Sequence, residues 1–213
     1  MLHSSNCWPI NQTWHSSMAF ELNLTIALLV IGAYLLGSIS SAVLICRALG
    51  YEDPRTLGSG NPGATNVWRT SSKNAAVITF ITDLLKGALP VWLALKLGLS
   101  SLEAALCGLA AMVGHMLPIF FRFRGGKGVA TYLGACLSID PLLALSQISL
   151  WLVTMLAFRR ASVASITCAL ATPVICYWQL SELLPVLGLM SLLLIISHRN
   201  NIRRLVAGNE QRL

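Results

Sequence analysis

The sequence predicts an all-α integral membrane protein built from about seven transmembrane or half-membrane helices. Of its 213 residues, 55% are hydrophobic and only 11% are charged, whereas a soluble domain carries roughly 25% charged residues. The mean hydropathy is +0.70, and the apolar residues form runs approaching the roughly 20 residues that a helix needs to cross a bilayer. We therefore expect helices that pack against helices in lipid.

The apolar segments follow one another with polar or basic stretches between them. Arg47 closes the first segment, and a polar loop over residues 47–73 precedes the second. The fourth is too short to cross a bilayer unaided, and it ends at Asp140-Pro141, where proline suits the first position of the next helix. Seven crossings, or five crossings with a shallow hairpin, both fit this pattern. The segments are residues 24–46, 74–95, 102–121, 129–139, 142–158, 163–180 and 183–197.

The basic residues predict the orientation of the chain. If the first segment begins outside, thirteen of the fifteen Lys and Arg residues fall on one side of the membrane, while Lys96 faces the other side and Lys86 lies within a segment. Because basic residues accumulate on the cytoplasmic side, we expect the N-terminus outside and the C-terminus inside. The thirteen residues are Arg47, Arg55, Arg69, Lys73, Arg122, Arg124, Lys127, Arg159, Arg160, Arg199, Arg203, Arg204 and Arg212.

The two ends of the chain differ from the apolar part between them. Residues 1–21 form a polar N-terminal extension, which is unlike a signal peptide because no basic stretch precedes the apolar run. Met18 lies just before the first apolar segment, so we expect residues 1–17 to be an upstream start-site artefact or a short disordered extension. Residues 22–198 are expected to form a single polytopic membrane domain, and residues 199–213 a basic cytoplasmic tail.

Composition and spacing exclude several classes of function. The six cysteines are scattered without a C-x-x-C pair, as is typical of small buried hydrophobes, and the four histidines lack ligand spacing. We therefore expect no metal site and no organic cofactor. The basic residues lie at the ends of apolar spans rather than in a groove lined by aromatic residues, which argues against nucleic-acid binding. The two halves of the chain show no inverted repeat of the kind common in secondary transporters.

The loop Gly58–Asn66, which reads GSGNPGATN, carries the strongest functional signal. Its glycines match a dinucleotide-binding fingerprint in spacing, but no βαβ unit surrounds them. A flexible surface turn is the simpler interpretation, yet hydrogen-bonding side chains and a cation crowd into this one loop. The residues expected to contact a ligand are Gly58, Ser59, Gly60, Asn61, Gly63, Thr65, Asn66 and Arg69.

A second cluster, Arg122–Thr131, repeats this chemistry on the same predicted side of the membrane. It is not a P-loop, because Phe121 stands where the first glycine of that motif belongs. Successive glycine amides can nevertheless cradle a phosphate while a lysine neutralises it. A basic loop against anionic lipid is the alternative, but lipid binding needs charge and not glycine. The candidate residues are Gly125, Gly126, Lys127, Gly128 and Thr131.

Four other polar residues lie within or at the ends of apolar segments. Asp83 and Lys86 share one helical face, and since ionisable residues in a membrane are costly, we expect an ion pair bordering a polar cavity. His115 fits a structural role. His198 is the better candidate for chemistry, because Asn201 lies three residues on at the polar surface.

Three motifs, in the order in which they follow one another along the sequence, resemble those of the bacterial glycerol-3-phosphate acyltransferases that use acyl phosphate. The motifs are Gly58–Asn66 continuing to Arg69, residues 114–118 leading into residues 125–131, and residues 198–203. The similarity runs from about Leu24 to the C-terminus, so residues 22–198 would be the acyltransferase domain. The resemblance implies a multi-pass protein of the bacterial plasma (inner) membrane whose active site faces the cytoplasm.

The resemblance also implies a reaction and roles for the motif residues. A fatty acyl group would pass from acyl phosphate to the sn-1 hydroxyl of glycerol 3-phosphate, giving lysophosphatidic acid and phosphate, the first acylation of phospholipid synthesis. The partners would be these two substrates, membrane lipids and an enzyme that produces acyl phosphate. Ser59, Arg69 and Lys127 would hold substrate phosphate, the Gly125–Gly128 loop the acyl-phosphate headgroup, and His198 with Asn201 would complete the pocket. The expected catalytic residues are therefore Ser59, Arg69, Lys127, His198 and Asn201.

The chemistry of this reaction fits the residues. Both substrates carry phosphate, and acyl phosphate is already activated, so positioning and charge neutralisation can supply much of the catalysis. The H-x-x-x-x-D dyad of other acyltransferases is absent, since Phe120 follows His115 at that spacing and Arg203 follows His198. We expect direct transfer, with the substrate's own phosphate or His198 as proton acceptor.

Two other functions compete with this interpretation. A membrane transporter of a phosphate ester would distribute polar groups through the depth of the helix bundle, whereas here they concentrate at one surface. A structural protein that binds anionic lipid would explain the arginines but not the Gly58–Asn66 loop.

Overall fold

The computed structural model describes residues 10–212, with side chains described from Leu22 onward. The expectations for residues 1–9 lie outside this part of the chain. Between residues 10 and 212 the structure contains helices and no strand, as predicted. The α-helices are α1 (Ile10–Gly37), α2 (Ser41–Ala48), α3 (Ala64–Thr70), α4 (Lys73–Lys96), α5 (Ser101–Met116), α6 (Val129–Ile139), α7 (Pro141–Phe158), α8 (Ala161–Gln179), α9 (Leu184–Ser197) and α10 (Arg199–Val206).

The lengths of these helices confirm a polytopic membrane protein. The helices α4, α7 and α8 are each long and apolar enough to cross a membrane, as is the segment Ser101–Phe121 that contains α5. The described part of the chain reaches six candidate spans if the bent pairs α1/α2 and α9/α10 each count as one. With eleven residues, α6 is about 16 Å long at 1.5 Å per residue, well short of the roughly 30 Å hydrocarbon core.

The first apolar segment, predicted as a span over residues 24–46, is not one continuous helix. It breaks after Gly37, and α1 and α2 meet at an angle of 42°. At the break the Ser38 hydroxyl donates to the Tyr34 carbonyl at 2.9 Å, and the Lys86 ammonium donates to the Ile39 carbonyl at 3.1 Å. Because lipid offers no hydrogen bonds, a break within a membrane helix requires such partners. The lysine that supplies one of them lies on another helix, which local sequence does not reveal.

Polar caps fix the ends of three helices. The Ser72 hydroxyl accepts from the Ala75 amide at 3.1 Å and begins α4. Ser100 and Glu103 form a capping box at α5. The Asp140 carboxylate accepts from the Leu143 amide at 2.9 Å, so that Pro141 occupies the start of α7, as predicted. Each cap satisfies a backbone donor that would otherwise have no partner at a helix start.

Glycines allow the helices to approach each other at backbone distance. A Cβ at Gly87 of α4 would overlap the Thr131 carbonyl of α6, and a Cβ at Gly134 of α6 would overlap the Leu84 carbonyl of α4. Likewise, a Cβ at Gly37 of α1 would overlap the Ala111 backbone of α5. Small residues allow helices to pack closely in membranes. Such packing is important there because lipid is as apolar as the side chains, so no hydrophobic effect holds the helices together. These contacts hold the short α6 against α4.

The remaining polar segments collect at one end of the bundle. The short helix α3, not foreseen within the loop over residues 47–73, packs against α4. The last helix α10 leaves α9 at an angle of 53°, and residues 207–212 follow it. Residues of the Gly58–Asn66 loop, Lys127 and Gly128 before α6, and residues 209–211 of the tail line one cavity at this end.

Substituting Gly87 by alanine tests whether the α4–α6 contact requires glycine. We expect a clear fall in the unfolding temperature in detergent, because the added methyl collides with backbone, which cannot move aside as a flexible side chain can. Gly32→Ala is the matched control, since nothing lies within 4 Å of a Cβ there and alanine favours a helix by up to about 1 kcal/mol over glycine. Equal unfolding temperatures for the two variants would contradict the packing described above.

Candidate active site

A cavity of about 510 Å³ lies where the polar segments meet. Its walls come from the Gly58–Asn66 loop and α3, from the helices α4 to α8, and from the residues around the α9–α10 bend together with the tail. All five residues predicted to be catalytic line it. The predicted residues that line the cavity are Gly58, Ser59, Asn61, Gly63, Thr65, Asn66, Arg69, Lys127, Gly128, His198 and Asn201.

The Asn66 side chain organises the first loop. Its carbonyl oxygen accepts from the Ser59 amide at 2.9 Å, and its nitrogen donates to the carbonyls of Pro54 at 2.8 Å and Leu57 at 3.1 Å. Gly58 has a φ of +57°, and a Cβ there would crowd the Asn66 amide. These hydrogen bonds hold the loop in one conformation, which argues against the alternative of a flexible surface turn. Asn66, predicted as a ligand contact, holds the loop with its side chain while also bordering the cavity.

Four predicted residues do not lie on the cavity wall. Gly125 and Gly126 pack against the end of α5, where a Cβ at Gly126 would overlap the His115 ring. The Gly126 amide donates to the His115 carbonyl at 3.0 Å. Gly60 lies in the exposed first loop, and Thr131 is fully buried in α6. The structure thus gives the two glycines before Lys127 a packing role that the motif did not reveal.

Lys127 enters the cavity from the loop before α6. The Ser197 hydroxyl donates to its carbonyl at 3.2 Å, which ties the loop to α9. Burial lowers the pKa of the Lys127 ammonium to about 8; the charge of Glu210 opposes this shift, while Arg204 and Arg69 add to it. Cationic groups from three separate segments therefore face one space. Such a cluster leaves positive charge that an anionic ligand can neutralise.

Arg69 binds the C-terminal tail. Its guanidinium donates to the carbonyls of Gln211 at 3.3 Å and Arg212 at 3.4 Å. Residues 209–211 themselves line the cavity. The basic tail predicted from the sequence therefore folds back over the cavity and forms part of its wall.

Glu210 is the main residue that sequence reasoning missed. Its carboxylate is 6% exposed and accepts from the Ser162 hydroxyl at 2.7 Å, the Asn201 amide at 2.6 Å and Arg204 Nε at 2.7 Å. Burial raises the pKa of the Glu210 carboxyl, but these three hydrogen bonds outweigh it and hold the pKa below its ordinary value. Nothing in the local sequence marks this residue, because its partners come from α8 and α10.

Glu210 also fixes the side chain of Asn201. A carboxylate only accepts hydrogen bonds, so the Asn201 nitrogen must face Glu210 and its oxygen must face away. That oxygen is buried and has no hydrogen-bond partner among the described residues. A buried acceptor left unpaired is unusual, and here it belongs to a cavity-lining residue that can accept from a ligand hydroxyl.

His198 lies at the bend between α9 and α10 and is 2% exposed. Its Nδ1 lies 2.8 Å from the Leu194 carbonyl oxygen. A carbonyl only accepts, so Nδ1 carries the proton, and in the neutral ring Nε2 is left as a proton acceptor. The helix does not run straight through His198 and Asn201, yet the bend places both on the cavity wall.

The other end of the cavity is apolar. Phe80 of α4, Leu133 of α6 and Ile148 and Leu152 of α7 line it. Three of these four side chains, those of Phe80, Ile148 and Leu152, are more than a third exposed. The cavity is therefore basic at one end and apolar at the other, where its lining suits a hydrocarbon chain. Among residues 22–212, no group of three or more His, Cys, Asp or Glu side chains is placed to hold a metal ion.

Comparison with known proteins identifies the family. A family model described as Glycerol-3-phosphate acyltransferase matches residues 27–208. A glycerol-3-phosphate acyltransferase of Shewanella woodyi is 48% identical over 186 residues, which cover 86% of this chain and 91% of that relative. One of Thioalkalivibrio sulfidiphilus is 48% identical over 187 residues, which cover 87% and 92%.

Two solved structures share the fold. Both are crystal structures of PlsY (YgiH), described as an integral membrane glycerol 3-phosphate acyltransferase. The glycerol 3-phosphate form has a TM-score of 0.83 and 41% identity and covers 89% of this chain and 96% of that one. The lysophosphatidic acid form has a TM-score of 0.83 and 40% identity, with coverages of 89% and 95%. Sequence and structure therefore agree, and the chain belongs to the glycerol-3-phosphate acyltransferase family.

Proposed function

We propose that this protein transfers a fatty acyl group from acyl phosphate to the sn-1 hydroxyl of glycerol 3-phosphate. The products are lysophosphatidic acid and phosphate, and the reaction begins phospholipid synthesis. The observation that carries the proposal is the two-ended cavity, in which Arg69 and Lys127 line one end and Leu133 and Ile148 the other. The relatives named for this activity, and the structure neighbours in glycerol 3-phosphate and lysophosphatidic acid forms, support it.

The basic end suits two phosphate groups. Ser59, Arg69 and Lys127 border it together with Arg204, and charge-assisted hydrogen bonds from such groups to phosphate are stronger than neutral ones. In the reaction, the sn-1 oxygen attacks the acyl carbonyl carbon, and the bond from that carbon to the phosphate oxygen breaks. The leaving phosphate departs with negative charge that Lys127 and Arg69 neutralise. Stabilising charge as it develops is often the largest catalytic contribution.

The apolar end suits the acyl chain. Phe80 on α4 and Leu152 on α7 line the cavity on either side of the short α6, and the side chains of both are more than a third exposed. A chain lying along Leu133 can therefore extend into the bilayer while its mixed anhydride reaches the basic end. An acyl donor dissolved in the membrane then needs no passage through water.

The hydroxyl proton has two acceptors in this proposal. One is the phosphate of glycerol 3-phosphate, and the other is Nε2 of His198, whose Nδ1 is engaged with the Leu194 carbonyl. Substituting His198 by alanine separates them, because near-normal turnover would leave only the substrate phosphate. The unpaired oxygen of Asn201 is suited to orienting the glycerol hydroxyls.

The donor is tested by supplying purified, detergent-solubilised protein with palmitoyl phosphate, with and without glycerol 3-phosphate. We expect phosphate release that depends on glycerol 3-phosphate and yields an equal amount of lysophosphatidic acid. Turnover with acyl-CoA but not with acyl phosphate would keep the reaction and overturn the donor. Inactivity with both donors, in protein shown to be folded, would favour the transporter of a phosphate ester.

The charge of Lys127 predicts a pH dependence. Its pKa of about 8 in the free protein means that the ammonium is charged below pH 8 and loses its charge as pH rises through that value. We therefore expect kcat/KM, which reports the free enzyme, to fall above about pH 8. In Lys127→Arg the fall should move to higher pH, because a guanidinium keeps its charge. Identical pH profiles for the two proteins would show that Lys127 does not carry this dependence.

We also propose that the protein lies in the bacterial inner membrane with its active site facing the cytoplasm, near an enzyme that supplies acyl phosphate. The clustering of Lys and Arg at the cavity end of the bundle supports this orientation. Membrane vesicles test it, because glycerol 3-phosphate does not cross a bilayer freely. Inverted vesicles should acylate added glycerol 3-phosphate, and right-side-out vesicles should do so only after permeabilisation. The reverse result would require the opposite orientation.

A further inference from the structure

Three ionisable side chains form a buried chain between α4 and α5. The Lys86 ammonium lies 2.8 Å from the Asp83 carboxylate, and His115 Nδ1 lies 3.5 Å from the same carboxylate oxygen. Each residue is at most 8% exposed. The ion pair confirms the sequence-based expectation for Asp83 and Lys86, and Asp83 does border the cavity. The addition of His115 was not expected.

Stability alone does not explain such a cluster. Replacing a buried ion pair by apolar residues of similar size is often neutral or stabilising, so the pair is weak evidence for a purely structural role. Ionisable residues within a membrane are rare and commonly mark a functional site. The Lys86 ammonium also donates to the Ile39 carbonyl at the α1–α2 break. These three side chains therefore connect α4, α5 and the α1–α2 break.

His115 connects this chain to the glycine loop. Its carbonyl accepts from the Gly126 amide at 3.0 Å, and its ring occupies the space that a side chain on residue 126 would need. A Cβ at Gly125 would overlap the carbonyls of His115 and Met116. The glycine loop thus contacts both the backbone and the ring of His115. Lys127 is the next residue after Gly126.

We infer that Lys86, Asp83 and His115 are positioning residues that place the Lys127 ammonium at the phosphate end of the cavity. This inference rests on the proposed function. One side of the loop is fixed by His115 through Gly126, and the other by the hydrogen bond from Ser197 to the Lys127 carbonyl. With its backbone held on both sides, the lysine reaches the cavity from a single direction.

Lys86 has a second effect, which is electrostatic. Asp83 lines the same cavity as Lys127 and Arg69, and an unpaired carboxylate there would repel the phosphate of a substrate. The ammonium of Lys86, 2.8 Å away, neutralises it. The pair thereby holds His115 in place without adding net negative charge to an anion-binding cavity.

The first test is a charge cycle on the ion pair, measured as KM for glycerol 3-phosphate, kcat and unfolding temperature. Lys86→Met should raise KM by about 10-fold or more, the scale of one buried charge contact. The double variant Asp83→Asn/Lys86→Met should bring KM back to within about 3-fold of the parent, because no carboxylate is left to repel phosphate while the new amide still offers a polar group to His115. Ser138→Ala is the control, since its hydroxyl also bonds α4, at the Ala88 carbonyl, away from the cavity.

The second test uses the contact between His115 and Gly126. Gly126→Ala should raise KM by about 10-fold or more, the scale expected from losing one charged phosphate contact, because the new methyl meets the His115 ring and displaces Lys127. His115→Asn removes the ring atoms that collide while keeping a polar group toward Asp83. The double variant Gly126→Ala/His115→Asn should therefore recover much of the loss. His115→Leu, which offers no polar group, should restore less.

These results separate positioning from mere support of the fold. A structural role would lower the unfolding temperature and the active fraction, and hence kcat, while leaving KM unchanged in every variant, and that outcome would overturn the inference. Failure of His115→Asn to relieve Gly126→Ala would also overturn it, even if Lys86→Met does not fold. If the parent protein itself does not acylate glycerol 3-phosphate from any donor, the proposed function fails instead.

Discussion

The close contact between α4 and α6 is the constraint on which the rest of the site depends. Gly87 and Gly134 let the two backbones approach so closely that any side chain would separate them. This contact gives the short α6 a fixed place despite a length that cannot span the bilayer. Lys127 and Gly128, just before α6, and Leu133, within it, then line the same cavity. A cavity with both basic and apolar walls follows from this arrangement.

The basic end of that cavity depends on Glu210, a buried carboxylate of the C-terminal tail. Arg69 and Lys127 come from segments far apart in sequence, and like charges at close range repel. Glu210 lowers this repulsion, and it binds Ser162, Asn201 and Arg204 directly. The tail therefore contributes to the site both by its charge and by orienting the amide of Asn201. Substrate phosphate would meet a set of donors whose geometry is already fixed.

The sequence predicted well what depends on composition and local pattern. Apart from the first, which is broken, the apolar segments correspond to helices within a few residues, because bilayer thickness and caps such as Asp140-Pro141 are local constraints. Residue spacing also predicted the pairing of Asp83 with Lys86, and composition marked the two glycine loops. The sequence did not predict three other features: the break at Ser38–Ser40, the role of Glu210 and the packing of Gly126 against His115. Each depends on a partner from another helix, and a single sequence without covariation carries no signal for such pairs.

The central claim is that one cavity holds the phosphate at its basic end and the acyl chain along α6. The most direct measurement is a structure of the protein bound to a non-hydrolysable acyl phosphonate. The account predicts the phosphonate within hydrogen-bonding distance of Lys127 and Arg69, with the alkyl chain along Leu133 and Ile148 toward lipid. A phosphonate bound away from both cations, or an alkyl chain that leaves by another face of the bundle, would contradict it.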